Sequence, residues 1–184
     1  MGELPSNSRE KTILSSAWLE TKLGSMLAIS DQQQLYLLEF VDRRGLETEI
    51  AVLRSRLNAV IIPQQTAIIQ QLKQELTEYF AGNRTAFTVP IALIGSDFQK
   101  AVWQQLLAMK IGETYSYKQL AQRIGNEKAT RAVANANGKN QLALIVPCHR
   151  VINSDGSIGG YGGGVERKKW LLALEKQVQP TTMI

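Results

Sequence analysis

Between Ala17 and Phe40 the apolar residues come in short runs, Met26–Leu27–Ala28–Ile29 and Leu35–Tyr36–Leu37–Leu38, separated by the polar stretch 30–34. Runs of that length, bounded by turn-forming residues, predict strands in a hairpin-like arrangement. The rhythm then becomes helical. A short helix is predicted over 47–57 and a longer one over 64–80, where Ile68, Ile69, Leu72, Leu76, Tyr79 and Phe80 share a face and Gly82 follows the end. Residues 87–90 read as extended, and the stretch to Gly95 as a link. Ser96–Gln99 has the spacing of a capping box and opens a helix with Phe98, Val102, Leu106 and Met109 on one face, stopped by Gly112. Ser116–Gln119 repeats the device for a short helix carrying Leu120, Ala121 and Ile124 and closed by Gly125. Asn126 is expected to cap the next helix, with Ala129, Ala132, Val133 and Ala136 inward and Gly138 at its end. An unbroken apolar run from Leu142 to Val146 predicts a buried strand, and a last helix is predicted over 166–176 with Trp170, Leu171 and Leu174 inward. The first ten residues are polar and are expected to fray.

This pattern predicts an α/β (α+β) fold class. A small N-terminal α/β domain over 1–90 is followed by a mostly helical C-terminal domain over 91–184. The first carries no recognisable chemistry and reads as scaffold. In the second, two short helices joined by a Gly-Asn turn form a helix-turn-helix. The expected outward residues of its second helix, Thr130, Arg131, Ala134 and Asn137, are short apart from one arginine.

Charge sharpens that reading. The net charge is +5, and from Tyr117 to Arg150 the ionised residues are Lys118, Arg123, Lys128, Arg131, Lys139 and Arg150 against the single Glu127. A stretch of one sign suits a phosphate-facing surface, although an αα-hairpin without nucleic acid is the commoner occurrence of such a pair.

The 184 residues hold one cysteine and one histidine, adjacent at Cys148 and His149 after the apolar run and Pro147. One cysteine excludes an intramolecular disulfide, and the pair is too few for a structural zinc site. No metal and no cofactor is expected. The start Met1-Gly-Glu-Leu-Pro-Ser6 lacks a secretory pattern and no apolar run approaches membrane-spanning length, so a cytoplasmic protein without a membrane partner is expected. The glycine-rich stretch 153–164 matches neither a P-loop nor a dinucleotide fingerprint; it lets backbone approach a flat ligand, with Tyr161 as a wall.

Pro147-Cys148-His149-Arg150 resembles the signature of the O6-alkylguanine-DNA alkyltransferases, the methylated-DNA–protein-cysteine methyltransferases. Phe98 to Trp103, Gly112 to Tyr117, Arg131-Ala132-Val133, Gly159-Gly160-Tyr161 and the stretch from Lys168 to Glu175 match in the same order. The match is close over residues 90–176. Family members often carry Asn-Pro at Asn140-Gln141 and some a serine at Gly162, and the zinc ligands of certain relatives are absent. The resemblance implies a single-turnover transferase that flips O6-alkylguanine, and also O4-alkylthymine, out of duplex DNA. The alkyl group passes irreversibly to Cys148. It implies that Cys148 loses its proton through a water to His149, that Glu175 orients His149, that Tyr117 donates to the leaving guanine, and that Asn140 braces the turn before the cysteine. Arg131 would fill the vacated stack. Tyr117, Thr130, Ala134, Asn137, Lys118 and Lys128 would face the DNA from the minor groove, and Ile158, Gly159, Gly160, Tyr161 and Gly162 would form the pocket. A monomer is implied, with cooperative binding on DNA left open. Two alternatives stand beside it, a non-catalytic binder of alkylated DNA and a Cys-His hydrolase.

Overall fold

The computed structural model describes residues 10–178. The expectation for the first ten residues falls almost wholly outside them. β1 (Thr12–Thr21), β2 (Gly24–Ser30) and β3 (Leu35–Phe40) form an antiparallel meander. After α1 (Leu46–Leu57), β4 (Ala59–Pro63) returns parallel to β1, giving the order β3-β2-β1-β4. The apolar run at 59–62 went unassigned in the sequence pattern because it is short and abuts a helix. α2 (Ala67–Phe80) starts three residues later than predicted, since Thr66 is the N-cap and its hydroxyl accepts from Ile69 N–H. Residues 87–90 lie outside any strand.

α3 (Asp97–Leu107) opens on the predicted Ser96–Gln99 capping box. The pair β5 (Tyr115–Ser116) leads into α4 (Tyr117–Arg123), opened by the Ser116–Gln119 box. Gly125, at φ 76°, closes α4 while Asn126 N–H donates back to Ala121 O, a helix end that calls for a left-handed residue. Asn126 makes no side-chain cap. A 3-10 turn over Glu127–Ala129 intervenes, and α5 runs over Thr130–Gly138. β6 (Val151–Ile152) pairs in parallel with β5, tying the segment after the cysteine to the start of the helix-turn-helix. α6 (Val165–Val178) closes the described chain.

β3 lies at the sheet edge, yet all six of its residues are buried. Its free edge is covered by two passing segments. Leu35 N–H donates to Pro90 O and Ala92 N–H to Leu35 O; Leu38 N–H donates to Gln141 O and Ala143 N–H to Leu38 O. An open edge would offer unpaired backbone groups; here they fix the entry to the cysteine segment against the N-terminal sheet. One core, from Met26 and Phe40 through Trp103 to Val146 and Leu171, joins both halves. Among the described residues no helix is long and apolar enough to cross a membrane.

Candidate active site

Cys148 is not preceded by a strand. The apolar residues 142–146 form a buried irregular turn, with a single bridge between Leu142 and Leu38 and with Leu144 at φ 71°. Cys148, His149 and Arg150 then make one 3-10 turn. Consecutive side chains of such a turn diverge by about 120°, which separates the thiol from the imidazole and the guanidinium.

Arg150 and His149 turn towards α6 and meet on Glu175, which is fully buried. Glu175 Oε1 accepts from His149 Nε2 at 2.7 Å, from Tyr79 Oη at 2.6 Å and from Arg150 Nη2 at 3.0 Å, and Oε2 from Arg150 Nε at 2.7 Å. Burial alone would raise this carboxyl, but the hydrogen bonds and charges of His149 and Arg150 outweigh it and hold the group below the usual carboxylate range. An ionised carboxylate only accepts, so His149 Nε2 carries the proton and Nδ1 is left as a lone pair. That Nδ1 is buried and has no protein partner. Burial lowers the His149 pKa, with Glu175 acting against it, so the resting ring is neutral.

Cys148, 8% exposed, faces a cavity of about 210 Å³. Asn140 Nδ2 reaches its Sγ at 3.2 Å and Val146 O at 2.8 Å, while Asn140 Oδ1 accepts from Leu142 N–H at 3.0 Å. One carboxamide therefore holds both the turn and the sulfur. Burial pushes the thiol up to about 11 despite that amide, so the thiol rests protonated. Tyr117, Ala134, Tyr161 and Gly162 also line the cavity. Lys168, fully buried, donates to Val151 O at 2.6 Å and Gly160 O at 3.1 Å, which fixes the glycine-rich loop over the opening. Burial lowers this ammonium to about 8.

Residues 97–177 match the family model described as 6-O-methylguanine DNA methyltransferase, DNA binding domain, and residues 14–93 match that of its ribonuclease-like domain. A methylated-DNA–protein-cysteine methyltransferase of Methanosarcina acetivorans is 37% identical over 159 residues, 86% of this chain and 96% of the relative. The chain belongs to the methylated-DNA–protein-cysteine methyltransferase family. The enzyme of that name from Mycobacterium tuberculosis H37Rv is 51% identical over 109 residues, 59% of this chain and 66% of the relative. The crystal structure of Mycobacterium tuberculosis OGT in complex with DNA superposes with a TM-score of 0.76 at 36% identity, covering 92% of this chain and 96% of that one.

Within this methyltransferase fold the expected residues divide. Cys148, Tyr117 and Asn140 meet at the cavity, and His149 meets Glu175 behind it. Gly160, Tyr161 and Gly162 line the cavity, whereas Ile158 and Gly159 stand outside its lining; Gly159 instead packs against the Asn153 side chain. Arg131, Lys118 and Lys128 are exposed, Thr130 is half-buried, and Ala134 belongs to the cavity wall. Asn137 does not face outward. It is 7% exposed, and its Nδ2 donates to Cys148 O at 3.3 Å. Ala132, expected inside, is exposed, because the 3-10 turn resets the phase and α5 buries Val133, Ala136 and Asn137, an i, i+3, i+4 face. Trp170 is likewise 36% exposed and leans on Phe80 from the rim.

The N-terminal half supplies more than scaffold. Glu39 and Arg43 line the cavity, and Tyr79 belongs to the Glu175 cluster. Arg43 pairs with Glu39 and with Glu49, and donates to Asn140 O at 3.0 Å and Gly138 O at 2.8 Å. It thus clamps the end of α5 and the residue that touches the sulfur. A Cβ on Gly162 would stand 3.0 Å from the Arg43 guanidinium carbon, so a side chain there requires the guanidinium to shift by a few tenths of an ångström. No spacing in the sequence links partners 97 residues apart.

Proposed function

We propose that this protein repairs duplex DNA carrying O6-alkylguanine, transferring the alkyl group to Cys148 once per molecule. The observation that carries the reading is the thiol itself. It opens on a cavity, is touched by Asn140, and follows from the same turn as a neutral imidazole backed by a buried carboxylate. A water at His149 Nδ1 takes the Cys148 proton, and His149 becomes a cation stabilised by Glu175. The thiolate attacks the saturated alkyl carbon as the bond from that carbon to O6 breaks. The electron pair leaves with guanine, which takes a proton from Tyr117. Burial raises the Tyr117 hydroxyl, so it is protonated and able to donate. The new thioether has no hydrolytic route, hence the single turnover.

A lesion inside a duplex is beyond reach of a buried thiol, so the nucleotide is flipped. The small residues of α5 fit a minor groove, and the exposed Arg131 fills the gap left in the stack. The protein acts as a monomer, and O4-alkylthymine is a second substrate class. Incubating excess O6-methylguanine duplex with wild type should add one methyl mass to the peptide bearing Cys148 and then stop, while Cys148→Ser binds but gains nothing. Product beyond one equivalent would point to a turning-over hydrolase, and binding without transfer by wild type to a non-catalytic binder. Arg131→Ala should slow reaction with duplex DNA far more than with free O6-benzylguanine.

A further inference from the structure

Two opposite charges from the N-terminal half stand in the wall of the cavity that Cys148 faces, and the transfer step derived above uses neither. Glu39 lies near the end of β3 and Arg43 four residues on; the two side chains pair, and they are 2% and 10% exposed. Glu39 also accepts from Phe40 N–H at 3.1 Å. Arg43 Nη1 donates to Asn140 O at 3.0 Å and Nη2 to Gly138 O at 2.8 Å, while Glu49 stands 3.0 Å from Nη2. Asn140 in turn places its Nδ2 3.2 Å from Sγ. The guanidinium is therefore held by carboxylates and carbonyls together, one residue removed from the nucleophile. Replacing a buried ion pair by apolar residues is often neutral or stabilising, so stability is a weak reason for a pair against this cavity.

The other groups around the sulfur leave the pair a role. Tyr117 and Tyr161 line the cavity as neutral phenols, their hydroxyls raised by burial. Lys168 approaches from α6 with its ammonium bound to two loop carbonyls. His149, Arg150 and Glu175 gather on the other side of the turn. Burial is the main reason that the thiol is raised; among the charges Glu39 raises it further, and Arg43 and Lys168 lower it. We propose that Glu39 and Arg43 are opposed positioning residues for alkyl transfer: the Arg43 charge steadies the Cys148 thiolate as it forms, and the Glu39 charge restrains it. This rests on the alkyl-transfer reading above. A charge beside a desolvated sulfur is poorly screened and acts without touching it. Burial pushes the Glu39 carboxyl up to about 7, with Arg43 acting against it, so the restraint is complete only above that pH.

Iodoacetamide reads the thiolate without any DNA, and Cys148 is the only thiol, so the mass of its peptide follows the reaction. At about pH 8.5, Glu39→Gln should be alkylated about threefold faster than wild type and Arg43→Gln about threefold slower. One unit of pKa changes the thiolate fraction about tenfold, and the weaker nucleophilicity of a more acidic thiolate returns about half of that exponent. Arg43→Lys, which keeps the charge, should recover most of the rate lost in Arg43→Gln. The double variant Glu39→Gln/Arg43→Gln leaves neither partner buried alone and should fall between the two singles. Transfer from an O6-methylguanine duplex should follow the same order. A packing defect would move both singles in one direction, and that result overturns the inference. So do singles that match wild type, or an Arg43→Lys as slow as Arg43→Gln, which would leave Arg43 only its hydrogen bonds to Gly138 and Asn140. Wild type that reacts with iodoacetamide but takes nothing from the duplex sinks the alkyl-transfer reading instead.

Discussion

On one side of the Cys148–Arg150 turn, Glu175 accepts from Tyr79, His149 and Arg150, and both of its oxygens are used. On the other, Asn137 Oδ1 and Tyr161 Oη are buried without protein partners, as is the far nitrogen of His149. The two sides share one backbone turn, and the Glu175 side is the more deeply buried. Native interiors satisfy nearly all buried polar groups, and the exceptions gather where something else binds. The saturated side holds the imidazole still; the other side borders the cavity that Cys148 faces.

That contrast can be broken at its strongest point. Glu175→Gln leaves the buried Arg150 guanidinium without a counter-charge, and the fold should lose about 3–5 kcal/mol in urea denaturation, with alkyl transfer falling along with it. The acid limb of stability tests the same group. The folded Glu175 carboxyl is held below the usual range while an unfolded glutamate titrates near about 4.3. The unfolded state therefore binds the extra proton first. The contribution is complete above that value and lost as pH falls through it towards the folded value, and Glu175→Gln should flatten this limb. Tyr79→Phe removes one of the hydrogen bonds to a charged acceptor and should cost about 1.5–3 kcal/mol. At the small end, the exposed Arg131 can be changed to alanine with stability kept within about 0.5 kcal/mol. A larger loss there would mean that the surface around Arg131 is also structural.

The elements written locally were legible in the sequence. Both capping boxes, the glycine after α4 and the apolar face of α2 involve residues within a turn or two of one another, and each forms as expected. The run 142–146 was misread because an unbroken apolar stretch signals burial and not conformation. Here the buried backbone turns through Leu144 at positive φ instead of extending. Asn137 was placed outside, opposite the expected inner face of Ala129, Ala132, Val133 and Ala136, although the carbonyl of Cys148 receives its side chain inside. Arg43 and Tyr79 were invisible as site residues because they have partners on the far half of the chain, and Glu39 because the cavity it lines is closed by residues of that half. A lysine on the last helix gives no sign in sequence that two loop carbonyls will bury it, as happens at Lys168.

The separation of those partners also orders events during synthesis. His149 leaves the ribosome 26 residues ahead of Glu175, and the Tyr79 hydroxyl must find Glu175 across 96 residues. Contacts of such span close late in folding. Until α6 docks, the imidazole lacks the carboxylate that would stabilise its cation, and an unfinished chain holds its one thiol without a working base. On the single-turnover reading proposed above, the thiol gains its base only when the fold is complete.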